Sequence, residues 1–180
     1  GFHSGNVPFC WGGAMALRRE TFQRARVAEF WRGAISDDFQ MSRAVRQAGL
    51  RIAYAPGALT ADVSHTTARE LFAWIARQMI ITRVYHPALW RLALAAHLVY
   101  CAAMVLSALY FPPALALQLL LGMIKGHNRA RLAALELDIG GRWIHVALVP
   151  LATWVWLYGL LASSLTRTVS WRGRRYRLAG

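Results

Sequence analysis

Acidic residues are scarce in this chain, and their scarcity bounds its partners first. Only 8 Asp and Glu stand against 21 Lys and Arg in 180 residues, a net charge of +13. That excess calls for an anionic counterpart, either a lipid surface or a polyanionic substrate. Charge of either sign is thin, at 16%, while 57% of the residues are hydrophobic. This balance is richer in apolar groups than an ordinary soluble domain and implies a membrane protein. Nucleic acid fits the basic excess less well. The Lys and Arg residues divide between the flanks of apolar runs and the tail, and do not form one groove interleaved with aromatics. Cysteine is nearly absent: Cys10 and Cys101 offer no metal spacing, and a thiol in apolar surroundings behaves as a small hydrophobe. The six histidines are dispersed, without the short helical spacing of a zinc site, so no metal cage is expected. Gly1-Phe2-His3-Ser4-Gly5 has neither a basic nor an apolar signal-peptide region, and the sequence is expected to begin inside a domain.

The polar stretch before Trp90 carries the motifs. Phe9-Cys10-Trp11 leads through Gly12-Gly13 into Ala14-Met15-Ala16-Leu17, which reads as a glycine loop beside a buried strand. The paired glycines suit a tight turn before a core strand and suit equally a close approach of backbone to ligand. A helix is expected from Asp37 to Ala48, with Ser36 as N-cap, an apolar stripe of Phe39, Met41, Ala44, Val45 and Ala48, and Gly49 as its stop. Asp37 and Asp38 fall in its first turn. A carboxylate there is stabilised by the free amides and the helix dipole, so the pair can serve stability alone or chemistry. Arg51-Ile52-Ala53-Tyr54-Ala55 reads as a short strand ended by Pro56-Gly57.

Thr67-Ala68-Arg69-Glu70 is a capping box that should open a second helix, with Leu71, Phe72, Trp74, Ile75, Met79 and Ile80 on its apolar side and Arg69, Arg77, Gln78 and Arg83 on its polar side. Such a helix is expected to lie in the interface plane of a bilayer; the competing reading is a helix packed in a protein core. Leu92 to Tyr110 and Trp143 to Leu165 are two apolar stretches near the ~20 residues that cross a hydrocarbon core. Pro150 is expected to kink the second, and its Trp143, Trp154, Trp156 and Tyr158 are interface-type aromatics. Ala114 to Ile124 is apolar but short, either a third span or a re-entrant segment. Arginines precede the first span (Arg77, Arg83, Arg91) and follow the last (Arg167, Arg172, Arg174, Arg175, Arg177), which places both flanks in the cytoplasm. Lys125, Arg129 and Arg131 disagree with that hairpin, since they would then face the far side.

In order, Cys10-Trp11-Gly12-Gly13-Ala14-Met15-Ala16-Leu17-Arg18-Arg19, Ser36-Asp37-Asp38-Phe39, Arg77-Gln78-Met79-Ile80-Ile81-Thr82-Arg83 and the tail Trp171-Arg172-Gly173-Arg174-Arg175-Tyr176 resemble the C-terminal part of membrane-bound family 2 glycosyltransferases, in their ceramide glucosyltransferase-like branch. The resemblance implies an α/β fold plus membrane helices. Residues 1–66 would be the C-terminal half of a GT-A-like nucleotide-sugar domain and 67–89 an amphipathic interfacial helix. Residues 90–166 would hold two to three transmembrane helices, and 167–180 would form a basic cytoplasmic tail. It also implies a bacterial inner-membrane setting with the catalytic part facing the cytoplasm.

In that family the second acid of the late acidic pair is the general base, which maps to Asp38, with Asp37 in the place of the preceding acid. The loop Trp11, Gly12 and Gly13 would line the substrate site. The family's following motif, Gln or Arg, two residues, then Arg-Trp, shapes the acceptor site and meets the donor diphosphate. Arg77 matches its first position, but Ile80 and Ile81 stand where Arg-Trp would be. Either Arg83, one turn beyond Ile80, or Gln78 would then supply the missing contact. The implied activity is inverting transfer of a sugar, glucose first, from a nucleotide such as UDP-glucose to a lipid hydroxyl. A Mg²⁺ or Mn²⁺ ion would be expected at the leaving diphosphate, its ligands lying in an upstream half outside this sequence. A fragment of this kind should be inactive alone. The alternatives are part of a processive polysaccharide synthase and a non-enzymatic basic membrane anchor.

Overall fold

The computed structural model describes residues 9–55, 58, 65–135, 142–171 and 174–178. The chain divides into two compact units, Gly1–Thr60 and Ala61–Gly180.

The first unit is helical. Three helices, α1 (Arg19–Arg24), α2 (Val27–Trp31) and α3 (Asp37–Gln47), enclose a small core of Ala25, Val27, Met41, Ala44 and Val45, onto which Cys10, Phe22, Phe30, Leu50 and Ile52 pack. Arg26, at φ 53, turns the chain sharply between α1 and α2. The α3 boundaries follow the sequence closely. Ser36 caps it by accepting from the Phe39 amide at 3.4 Å. Its end is a Schellman closure in which Gly49, at φ 71, donates to the Arg46 carbonyl and Leu50 to that of Val45.

Both strands expected in this unit are absent: Ala14–Leu17 and Arg51–Ala55 are extended or bent chain without ladder partners. A strand is held by the neighbour that takes up its amides and carbonyls, and among the described residues of this unit no strand lies beside either segment. Their apolar side chains serve the helical core instead, Met15 and Ile52 packing onto it. The GT-A-like sheet is therefore not present among the described residues. Pro56-Gly57, expected to end the second strand, lies outside them.

The second unit holds α4 (Ala68–Tyr85), α5 (Pro87–Tyr110), α6 (Pro112–Ala133) and α7 (Arg142–Leu165), then a hairpin of β1 (Thr168–Trp171) and β2 (Arg174–Arg177). The expected capping box opens α4. Glu70 N donates to Thr67 Oγ1 at 3.3 Å, while the Thr67 amide and hydroxyl donate to Glu70 Oε2 at 2.8 and 2.7 Å. Those two donors, the backbone amide first, hold the Glu70 carboxyl below the ordinary carboxylate range. Prolines at the first positions of α5 and α6 start both helices where a missing N–H costs nothing. Only Phe111 separates the two.

α7 packs against α4, α5 and α6. Gly159 permits the α4 contact, since a Cβ there would collide with Ile75 Cγ2 and lie 3.3 Å from Met79 Cγ. Phe72 meets Tyr158 edge-to-face at 5.0 Å. Pro150, inside α7, seats against Gly122 of α6. α5 and the stretch Val146–Leu165 are long and apolar enough to cross a membrane.

Two contacts orient them. Arg83, near the end of α4, and Trp90, near the start of α5, both bond to Ser163 near the end of α7, so α5 begins where α7 ends. α6 meets its neighbours toward the other end, through Gln118 to Ser107 at 3.1 Å and Gly122 to Pro150. It is a continuous helix of 22 residues, longer than the apolar run: it passes through the weak helix formers Gly126, His127 and Asn128 and continues over Arg129, Ala130, Arg131 and Leu132, which favour helix. The tail, expected as a plain basic segment, is an antiparallel hairpin with Val169 opposite Tyr176. Val169 is buried and β1 packs on α4; Arg172 and Gly173 of the tail motif lie outside the described residues.

Candidate active site

The first unit gathers five of the expected site residues at the start of α3. Trp11 to Ala14 forms a turn closed by the Ala14 amide on the Trp11 carbonyl at 3.0 Å. The indole of Trp11 folds back over Gly13, where a Cβ would lie 2.8 Å from Nε1. Gly12 is poised over the acidic pair. A Cβ there would stand 3.4 Å from Asp37 Oδ1, 3.4 Å from Asp38 Oδ2 and 3.7 Å from Asp38 Cγ.

Asp38 is held on one side and open on the other. Its Oδ1 accepts from the Phe39 amide at 2.7 Å and from the Ser36 hydroxyl. Among the described residues no donor meets Oδ2. Asp37 turns its Oδ1 back to the Asp38 amide at 3.0 Å, and its carbonyl accepts from Trp31 Nε1 at 3.0 Å. Ser42 ties the loop to the helix: its hydroxyl donates to the Asp38 carbonyl and accepts from the Cys10 amide, both at 2.8 Å. Phe9 stacks on Phe39 at 6.0 Å and supports the same junction. A carboxylate with one oxygen anchored and the other facing a side-chain-free backbone is fit to take a proton from a hydroxyl brought to it.

Sequence reasoning missed Ser42 and Trp31 as members of this junction and saw Ser36 only as a cap. A signal existed for Ser42, because a hydroxyl four residues after Asp38 reaches back to its carbonyl. Trp31 had none, being brought in by the α2–α3 turn.

Arg77, Gln78 and Arg83 lie on α4 in the second unit. Arg77 and Gln78 are half-buried, and the Gln78 carbonyl accepts from Thr82 Oγ1 at 2.8 Å. Arg83, expected as a diphosphate contact, has its Nη1 committed to the Ser163 and Ser164 carbonyls at 2.6 and 2.8 Å, with its guanidinium 5.3 Å over the Trp90 ring. Trp90 Nε1 in turn donates to Ser163 Oγ at 2.9 Å. A guanidinium closing the last carbonyls of a helix complements its negative end, and Arg83 thereby fastens the α4–α5 junction to the end of α7.

Among the described residues no group of three or more His, Cys, Asp or Glu could hold a metal ion. The Asp37–Asp38 pair does not by itself supply a ligand set for the expected divalent cation.

The sequence profile of Glycosyl transferase family 21 matches residues 4–180. Ceramide glucosyltransferases, the branch the motifs resemble, are members of family 21, so the family number is 21 where the sequence resemblance suggested 2. No curated protein and no solved structure matches the chain.

Proposed function

This chain belongs to glycosyl transferase family 21 and is a glycosyltransferase, and from that premise we propose that it is the acceptor-side part of an inverting membrane enzyme that moves glucose from a nucleotide sugar to a lipid hydroxyl. The observation that carries the proposal is Asp38, anchored through Oδ1 with Oδ2 open beneath Gly12. As the acceptor oxygen attacks the anomeric carbon, Asp38 Oδ2 takes the hydroxyl proton. The bond from that carbon to the phosphate oxygen breaks, and the nucleoside diphosphate leaves with the electron pair. Attack from the face opposite the leaving group inverts the centre.

Gly12 leaves room for the hydroxyl, and Asp37 holds the amide of Asp38. Trp11, exposed beside the glycine turn, offers a flat apolar face to the substrate. Arg77 and Gln78 are the proposed donor contacts on α4. α5 and α7 span the bilayer, with their common end, which carries Arg83, Arg91 and the tail arginines, in the cytoplasm, the compartment in which the catalytic part works.

The test is transfer of labelled glucose from UDP-glucose in membranes carrying the full coding sequence. Label in one extractable glycolipid supports the proposal; label in polymer would replace it with a processive synthase. No transfer from any nucleotide sugar would reduce the chain to a basic anchor.

A further inference from the structure

At the end of the second unit away from Arg83, α6 and α7 enclose a cleft of about 560 Å³. Met123, His127, Ala130 and Arg131 of α6 and Trp143, Val146 and Ala147 of α7 line it. The four α6 residues sit at i, i+4, i+7 and i+8, one face of the helix. Neither α6 nor α7 contains an acidic residue, and His127 and Arg131 have no partner among the described residues. Lys125 and Arg129 add exposed positive charge to the same helix. These are the cations that the two-span hairpin leaves on the far side of the membrane, in a segment whose acidic residues are Glu136 and Asp138, both outside the described residues.

We propose that this cleft binds the headgroup of an anionic phospholipid, with Arg131 and His127 on the phosphate and the acyl chains along the apolar flank; the proposal rests on the membrane-spanning reading of α5 and α7. Charge complementarity selects an anion. The surroundings select a lipid over a free anion, because Met123 and Trp143 of the lining are exposed, and so are Ile124, Ile144, Leu148 and Leu151 on the same two helices. A soluble phosphate would leave that apolar surface uncovered, whereas Trp143 at the rim suits the headgroup level. A guanidinium matches a phosphate through two parallel N–H donors.

The experiment uses the full-length protein. Alkaline carbonate extraction of membranes comes first: release of the protein would overturn the spanning reading and the lipid site with it. With the protein retained, native mass spectrometry follows lipid bound from equimolar phosphatidylglycerol and phosphatidylcholine. Preferential retention of one phosphatidylglycerol is expected, weakened about fivefold by Arg131→Gln, less by Arg131→Lys, and unchanged by Arg175→Gln in the tail hairpin. Equal retention of the two lipids, or an Arg131→Gln variant of unaltered melting temperature that keeps the preference, would overturn the lipid site alone. So would loss of the preference in Arg175→Gln, which would move the binding to the tail, and displacement of the lipid by millimolar inorganic phosphate, which would mark a free-anion site.

Discussion

Replacing Gly12 with alanine should separate catalysis from folding. The added methyl would stand 3.4 Å from Asp37 Oδ1 and from Asp38 Oδ2, ordinary van der Waals contact that forces no backbone shift. Gly12 is not among the described residues with positive φ, where Gly33 and Gly49 are the glycines that need it, so alanine adopts its conformation without strain. Removing a glycine from the unfolded chain at such a site stabilises by about 0.4–1 kcal/mol. Thermal stability of the Gly12→Ala protein should therefore hold or rise slightly. The methyl occupies the face from which an acceptor hydroxyl must reach Oδ2, and displacing a reacting group by about 1 Å can cost on the order of 100-fold. A fall in kcat/KM of about 10- to 100-fold is expected, or about 1.4–2.7 kcal/mol of transition-state stabilisation. Initial rates of labelled-glucose transfer in membranes, beside a melting curve of the purified protein, provide the assay. Wild-type rates in a folded Gly12→Ala protein would refute the open-face account of Asp38. So would a rate loss that merely tracks a lower melting temperature.

Three further outcomes concern the scaffold. Arg83→Ala should destabilise the second unit by about 2 kcal/mol or more, because two charge-assisted bonds to the end of α7 and the stacking on Trp90 disappear together; Arg83→Lys should recover only part of it in a detergent melt. Gly159→Ala should cost about 1–3 kcal/mol by overpacking against Ile75, and pairing it with Ile75→Ala should return most of that loss. The α4 cap should depend on pH. Glu70 has a lowered folded value, so its contribution is complete above the ordinary carboxylate range and is lost as pH falls through the lowered value. Hydrogen exchange of the first-turn amides of α4 should accelerate severalfold at the acid end beyond the intrinsic pH effect; Thr67→Ala, which keeps the backbone donor, should weaken that acid sensitivity, and Glu70→Gln should remove it.

Where local chemistry decides the structure, the sequence was legible. Ser36, Gly49 and the Thr67–Glu70 box each carry their own hydrogen-bonding partner within a few residues; α3 begins and ends, and α4 begins, where those signals stand. α5 and α7 were visible because long apolar runs with few charges have one economical backbone solution. The strands at Ala14–Leu17 and Arg51–Ala55 were misread because a short apolar run does not say whether a pairing neighbour exists. α1 and α2 are only 6 and 5 residues, too short for helical periodicity to emerge. The Thr168–Trp171 and Arg174–Arg177 hairpin was hidden by its charge, since four basic or aromatic residues in a row read as a solvated tail.

The candidate site divides in the same way. Asp37 and Asp38 follow from a helix start, and the glycine turn was recognisable, but that Gly12 sits over those carboxylates is a tertiary fact. Arg83 shows the opposite limit: a polar position on an amphipathic helix looked free for a ligand, while its partners, Ser163 and Ser164, lie some eighty residues away. Residues so distant are joined by packing of α4 on α7, which no local pattern reports.

The central claim is that Asp38 is the base, and it is tested most directly by comparing Asp38→Asn with Asp37→Asn in membranes containing equal, correctly inserted amounts of the full-length protein. Transfer of glucose to lipid should fall by about 10²–10⁴-fold in Asp38→Asn, and less in Asp37→Asn, whose Oδ1 only holds the Asp38 amide. Substantial transfer by Asp38→Asn, or the larger loss in Asp37→Asn, would contradict the account.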